Sequence, residues 1–77
     1  MSKDKNKYLH IYKKLGINIK TFRKLNKISQ EELAFKISSA RNYIGCIERA
    51  EKFPSLAIIY EIANALNIKI EDLVKEI

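Results

Sequence analysis

The tightest constraint in this sequence is a corner. Two short helical patterns, over 30–37 and 41–49, fit between Ser29 and Pro54 with about three residues between them. The first opens on Ser29-Gln30-Glu31-Glu32, a capping box. In that motif the serine hydroxyl accepts from the backbone N–H of Glu32, whose carboxylate reaches back to the N–H of Ser29. Leu33, Ala34 and Ile37 then supply a short apolar face, and Ser38-Ser39 reads as a tight turn. The second pattern carries Ile44 and Ile47 inward with Tyr43 beside them. Phe53-Pro54-Ser55 ends it: proline breaks the helix and Ser55 caps the next. So short a junction turns the chain sharply and leaves the start of the second helix projecting.

The rest of the chain reads as helix too. Tyr8, Ile11, Tyr12, Leu15, Ile19 and Phe22 recur at spacings of three and four, which predicts a helix over 17–26 that can extend back to residue 8. Gly16 costs about 1 kcal/mol relative to alanine in a helix interior. It is therefore a candidate break between a basic arm or helix extension over 1–14 and a domain over 15–77. The opening Lys3, Lys5 and Lys7 read as a frayed end. Further helices fall at 56–66 and 70–77, and no strand pattern appears. The fold class is all-α, with five helices in one small domain.

Composition removes several functions. Two glycines and one proline leave no Gly-rich phosphate loop and no turn-dense β fold. One cysteine and one histidine leave no intrachain disulfide, no metal site and no acid–base constellation. The expectation is no enzyme and no cofactor. With neither a long apolar run nor a secretory leader, the sequence predicts a soluble, cytoplasmic protein. His10 reads as a plain surface or arm residue.

Charge points the other way, toward a partner. Residues 1–52 carry thirteen basic and five acidic side chains, whereas residues 53–77 carry two basic and four acidic. A basic two-thirds suggests a face for a polyanion. Nucleic acid comes first and an anionic membrane second, because a membrane helix over 8–25 would need Ile19 and Phe22, which the core requires. A helix projecting from a sharp corner fits the major groove of DNA, about 12 Å wide. The N-terminus of the helix before it offers free N–H groups to a phosphate, with Gln30 as an added donor.

With these pieces in order, Leu15–Leu73 resembles the helix-turn-helix of the phage Cro and C1 repressors, the XRE-type family. The resemblance rests on Phe22-Arg23-Lys24, Ile28-Ser29-Gln30-Glu31-Glu32-Leu33-Ala34 and Asn42-Tyr43-Ile44-Gly45-Cys46-Ile47-Glu48-Arg49. Pro54-Ser55-Leu56 and Ile62-Ala63-Asn64-Ala65-Leu66-Asn67-Ile68 follow collinearly. It implies a five-helix, lambda-repressor-like DNA-binding domain and residue roles to match. Arg41, Asn42 and Cys46 take base-reading positions. Gln30, Tyr43, Arg49 and Lys52 take phosphate positions. Arg23 and Glu48 match a buried pair tying the first helix to the third.

Three departures from the family pattern matter. Ser38 and Ser39 stand where glycine and an apolar residue are frequent, and Ala40 where a Ser or Thr cap is usual. Ser39 could cap instead and shift the third helix by one residue, leaving Arg41 and Asn42 as alternatives for the leading contact. Ala50 replaces a common terminating glycine, which predicts a less sharp exit. Cys46 reads as a small side chain fitting close to DNA, with a redox switch as the weaker alternative.

The fourth helix is more apolar than a monomer needs. Leu56, Ile59, Ile62, Ala63 and Leu66 suffice for the core, leaving Ala57, Ile58 and Tyr60 on another side. With Leu73, Val74 and Ile77, residues Ile58 and Tyr60 make a candidate homodimer interface. The function read from the sequence is a homodimeric, sequence-specific regulator of transcription on a palindromic site, with no small-molecule effector. Its nearest types are Cro-like repressors and restriction–modification controllers, and Glu31 or Glu32 could touch RNA polymerase. The alternatives are a protein-interaction module, such as an antitoxin masking a partner with its C-terminal helices, and a non-specific architectural DNA binder.

Overall fold

The computed structural model describes residues 2–77, with side chains from Lys7 onward. The opening segment with Lys3, Lys5 and Lys7, expected to fray, is the first turn and a half of a helix that starts at Ser2. Five helices follow in order: α1 (Ser2–Leu25), α2 (Gln30–Lys36), α3 (Tyr43–Glu48), α4 (Leu56–Ala65) and α5 (Ile70–Leu73). The described residues contain no strand. Leu15 and Ile19 from α1, Leu33 and Ala34 from α2, Ile44 and Ile47 from α3, and Ile62 and Ala63 from α4 form the core. Leu66, at the end of α4, and Leu73 complete it.

Gly16 does not break α1. A Cβ there would stand 2.5 Å from the carbonyl oxygen of Glu48 and 2.9 Å from that of Ile47. At the glycine α1 lies close against the end of α3, and its lower helix propensity is the cost of that contact. Toward its N-terminus α1 is held again, by Tyr12 stacked on Phe53 with ring centroids 4.3 Å apart.

The capping box at Ser29 forms as the sequence requires: Glu32 N–H donates to Ser29 Oγ at 3.0 Å and Ser29 N–H to Glu32 Oε1 at 2.8 Å. Helix α4 starts on Ser55, whose Oγ accepts from Ile58 N–H. The C-termini are less ordinary. Lys27, Ser38, Ala50 and Asn67 follow α1, α2, α3 and α4 with φ between 56° and 60°. In each case the next residue's N–H reaches back five positions, as in Ser39 to Ala34 O (2.9 Å) and Glu51 to Cys46 O (2.8 Å). These are Schellman closures in which the left-handed position is usually glycine. Here none of the four is glycine, and Ala50 turns α3 off as sharply as glycine would, correcting the expected soft exit.

Two helices are shorter than the sequence suggests. Helix α3 begins at Tyr43, not Arg41, because nothing caps it earlier: Ser39 Oγ donates to Ala34 O at the end of α2 instead. A turn closed by Tyr43 N–H on Ala40 O precedes it. The corner therefore spans residues 37–42. Helix α5 stops at Leu73, not residue 77, since the Asn18 side-chain amide donates to the carbonyls of Leu73 (2.8 Å) and Lys75 (3.1 Å). Leu56, expected in the core, is 69% exposed. It is the first residue of α4, and its side chain leans toward the helix N-terminus, past the end of the core.

Candidate nucleic-acid interface

Helix α3 has two faces with opposite chemistry. Inward, Ile44 and Ile47 are buried in the core. Beside them the Glu48 carboxylate turns back toward α1 and takes a forked bond from Arg23: Nε to Oε2 at 2.7 Å and Nη2 to Oε1 at 3.2 Å. Both side chains are buried, 9% and 3% exposed. Arg23 Nη1 also donates to the carbonyl of Ile28, and Gln30 Nε2 donates to Glu48 Oε1 at 2.9 Å. One ion pair thus joins α1, the α1–α2 connection, the start of α2 and the end of α3. Among the described residues no buried side-chain nitrogen or oxygen lacks a partner, which is the condition for burying a charge at tolerable cost.

Outward, the corner and α3 present Arg41 and Asn42, both exposed, with Cys46 half-buried one turn on. Asn42 makes no capping bond with its side chain. Arg49, the C-terminal cap residue, and Lys52 beyond it are exposed, whereas Tyr43 is half-buried with its ring against the core. Gln30 lies across from Gly45: a Cβ on that glycine would come within 3.1 Å of both Gln30 Oε1 and Arg49 Nη1. The structure therefore strings the expected base-reading and phosphate residues along α3, from Arg41 and Asn42 before its start to Arg49 and Lys52 beyond its end, with Gln30 across from Gly45. It also commits one N–H of Gln30 to Glu48, leaving its second for any phosphate.

Two residues that the sequence reading did not pair belong to this surface. Glu51 takes a fork from Arg49, Nε to Oε2 at 2.9 Å and Nη2 to Oε1 at 3.1 Å, while Nη2 lies 3.9 Å from Cys46 Sγ. The hydrogen bond from Arg49 holds the Glu51 carboxyl below its ordinary range, and the same bond pushes the guanidinium pKa up. The pair is ionised at neutral pH. At the other rim Glu31 Oε2 sits 3.2 Å from Arg41 Nε. Helical spacing could not reveal the first pair, since residues two apart do not face each other on a helix. The left-handed turn at Ala50 brings Glu51 back onto Arg49.

The candidate dimer residues divide. Leu73 is fully buried in the monomer core and so cannot form an outer contact. The Asn18 amide holds that end of the chain against α1. Ile58 is half-buried and packs on the core. Tyr60, Val74 and Ile77 are exposed, as is Leu56.

Helices α2 and α3, the buried pair behind them and the outward arginines form the geometry of a DNA-reading corner. The helix-turn-helix family description matches residues 19–73. The chain belongs to that family, in its XRE-type branch. This helix-turn-helix chain is 35% identical over 66 residues to Control protein C.SmaI of Serratia marcescens, covering 86% of its own length and 79% of that protein. It is 39% identical over 62 residues to the immunity repressor protein of Bacillus phage phi105, but spans only 43% of that protein. Its fold is similar to that of the restriction–modification controller protein C.AhdI from Aeromonas hydrophila. The TM-score is 0.81 at 33% identity, over 86% of this chain and 96% of that one. The relatives are regulators and control proteins, and this chain is a DNA-binding regulator of transcription. Among the described residues no helix is long and apolar enough to cross a membrane.

Proposed function

We propose that the protein acts as a homodimer on a palindromic duplex operator, reading bases with Arg41, Asn42 and Cys46 and gripping phosphates with Gln30, Tyr43, Arg49 and Lys52. The observation that carries this reading is the division of α3. Ile44, Ile47 and Glu48 are locked inward, so the helix is firmly presented, while Arg41 and Asn42 before its start and Arg49 and Lys52 beyond its end are exposed. Arginine bidentate to guanine and asparagine to adenine are the pairings the major groove offers, each worth about 1–3 kcal/mol of discrimination. The lysines and arginines supply affinity that falls steeply as salt rises.

The dimer surface is the exposed apolar set Leu56, Tyr60, Val74 and Ile77. Leu56 and Tyr60 lie one turn apart on α4. A two-fold axis there would set the recognition helices about 34 Å apart, one turn of DNA. The likeness to control proteins favours a regulator of its own promoter, working in the cytoplasm and responding to its own concentration. Contact with RNA polymerase would fall to Glu31, because the carboxylate of Glu32 is occupied in the capping box. Charge reversal at Glu31 that left promoter output unchanged while DNA stayed bound would remove that contact.

Binding-site selection from random duplex at about 0.15 M salt tests the whole reading. The expected product is a palindrome with half-site centres about 10 base pairs apart, lost in Arg41→Ala. A stable complex with another protein, unaffected by Arg41→Ala and without sequence enrichment, would support the interaction-module alternative instead.

A further inference from the structure

Both outward arginines at the recognition helix are already held by carboxylates of the same chain. Arg49 gives Glu51 two hydrogen bonds in a fork, the geometry in which guanidinium also grips phosphate. Its Nη1 lies back over Gly45, 3.1 Å from where a Cβ would stand. Arg41 meets Glu31 through one contact of 3.2 Å, with both side chains well exposed. We propose that Glu51 and, more weakly, Glu31 are affinity-setting residues: each occupies a guanidinium that DNA must take over, and so holds duplex binding below what the cationic face alone would give. This rests on the reading that Arg41 and Arg49 meet DNA.

To engage a phosphate or base, Arg49 must leave two hydrogen bonds to Glu51, whose freed carboxylate then faces a polyanion. Removing the carboxylate removes both effects. Exposed pairs are weak individually, so the gain is about two- to five-fold in affinity per protomer for Glu51→Gln. Glu31→Gln gives less, because its pair is longer, single and more exposed. An arginine released to neutralise one more phosphate also steepens the logarithmic salt dependence by about 0.9.

The test is fluorescence anisotropy with a labelled mixed-sequence duplex of about 30 base pairs, enough for two half-sites one turn apart, at several salt concentrations. The proteins are wild type, Glu51→Gln, Glu31→Gln, Arg49→Ala and the Arg49→Ala/Glu51→Gln double variant. Tighter binding and a steeper salt slope for Glu51→Gln are expected, with the gain largely gone in the Arg49→Ala background. Unchanged or weaker binding by Glu51→Gln, while wild type binds, would overturn the proposal alone. So would an equal gain without Arg49, which would leave the carboxylate acting only through its own charge. Failure of wild type to bind duplex would overturn the DNA reading itself.

Discussion

Two guanidinium–carboxylate pairs meet at the C-terminal end of α3, and they do opposite things. Arg23 and Glu48 are buried, share their remaining donors and acceptors with Ile28 and Gln30, and knit three helices together. Arg49 and Glu51, just beyond the end of α3, are each more than half exposed and join residues two apart in the chain. Burial decides the difference. A buried pair that loses one member leaves a charge in a poor dielectric, whereas an exposed pair is replaced by water almost without loss. The first pair is therefore structural, and the second can open for a ligand.

The largest effect should come from breaking the inner pair. Arg23→Ala should cost about 3–5 kcal/mol, a large share of the roughly 5–15 kcal/mol that holds a domain together. Thermal melting would show a severe drop or no transition. Glu51→Gln should leave the melting temperature nearly unchanged, and a large loss there would erase the contrast. Next comes Gly16→Ala, whose Cβ would collide with the carbonyls of Glu48 and Ile47. Separating α1 from α3 should cost about 1–3 kcal/mol, outweighing the roughly 1 kcal/mol gained in helix propensity. A stabilised Gly16→Ala would mean that the helices are not held at this distance.

Smaller effects sharpen the picture at helix ends. Lys27 is exposed and holds φ at 58°, so Lys27→Gly should stabilise by about 0.5–1 kcal/mol in a denaturant titration. Asn67→Gly should gain less, because asparagine tolerates that region better. The smallest concerns pH. The backbone N–H of Ser29, followed by its hydroxyl, holds the Glu32 carboxyl below its ordinary range. A carboxylate depressed in the folded state contributes stability above its unfolded value and loses it as pH falls through the folded one. The melting-temperature advantage of wild type over Glu32→Gln should therefore shrink below about pH 4.

Local rules made much of this fold legible. The capping box at Ser29, the stop at Pro54 and the apolar spacings located α2, α3 and α4, and collinear motifs supplied the pairing of Arg23 with Glu48. What stayed hidden was non-local. Gly16 looked like a break because its reason, the backbone of α3, is more than thirty positions away. Leu73 looked peripheral because nothing in its neighbourhood announces the Asn18 amide that draws it inward. Glu51 and Glu31 meet their arginines only after the chain has turned at Ala50 and at the corner. The outer face of α3 was readable as a set of residues, but not as a set already occupied.

A nitrogen-edited NMR titration with duplex DNA that follows backbone and arginine Nε–H signals tests the division of α3 most directly. Shifts are expected at Arg41, Asn42, Cys46, Glu51 and the Arg49 Nε–H, with the Arg23 Nε–H left in place by its buried partner. Shifts centred on Leu56, Tyr60 and Val74 with α3 silent, or an Arg23 signal that moves with the rest, would contradict it.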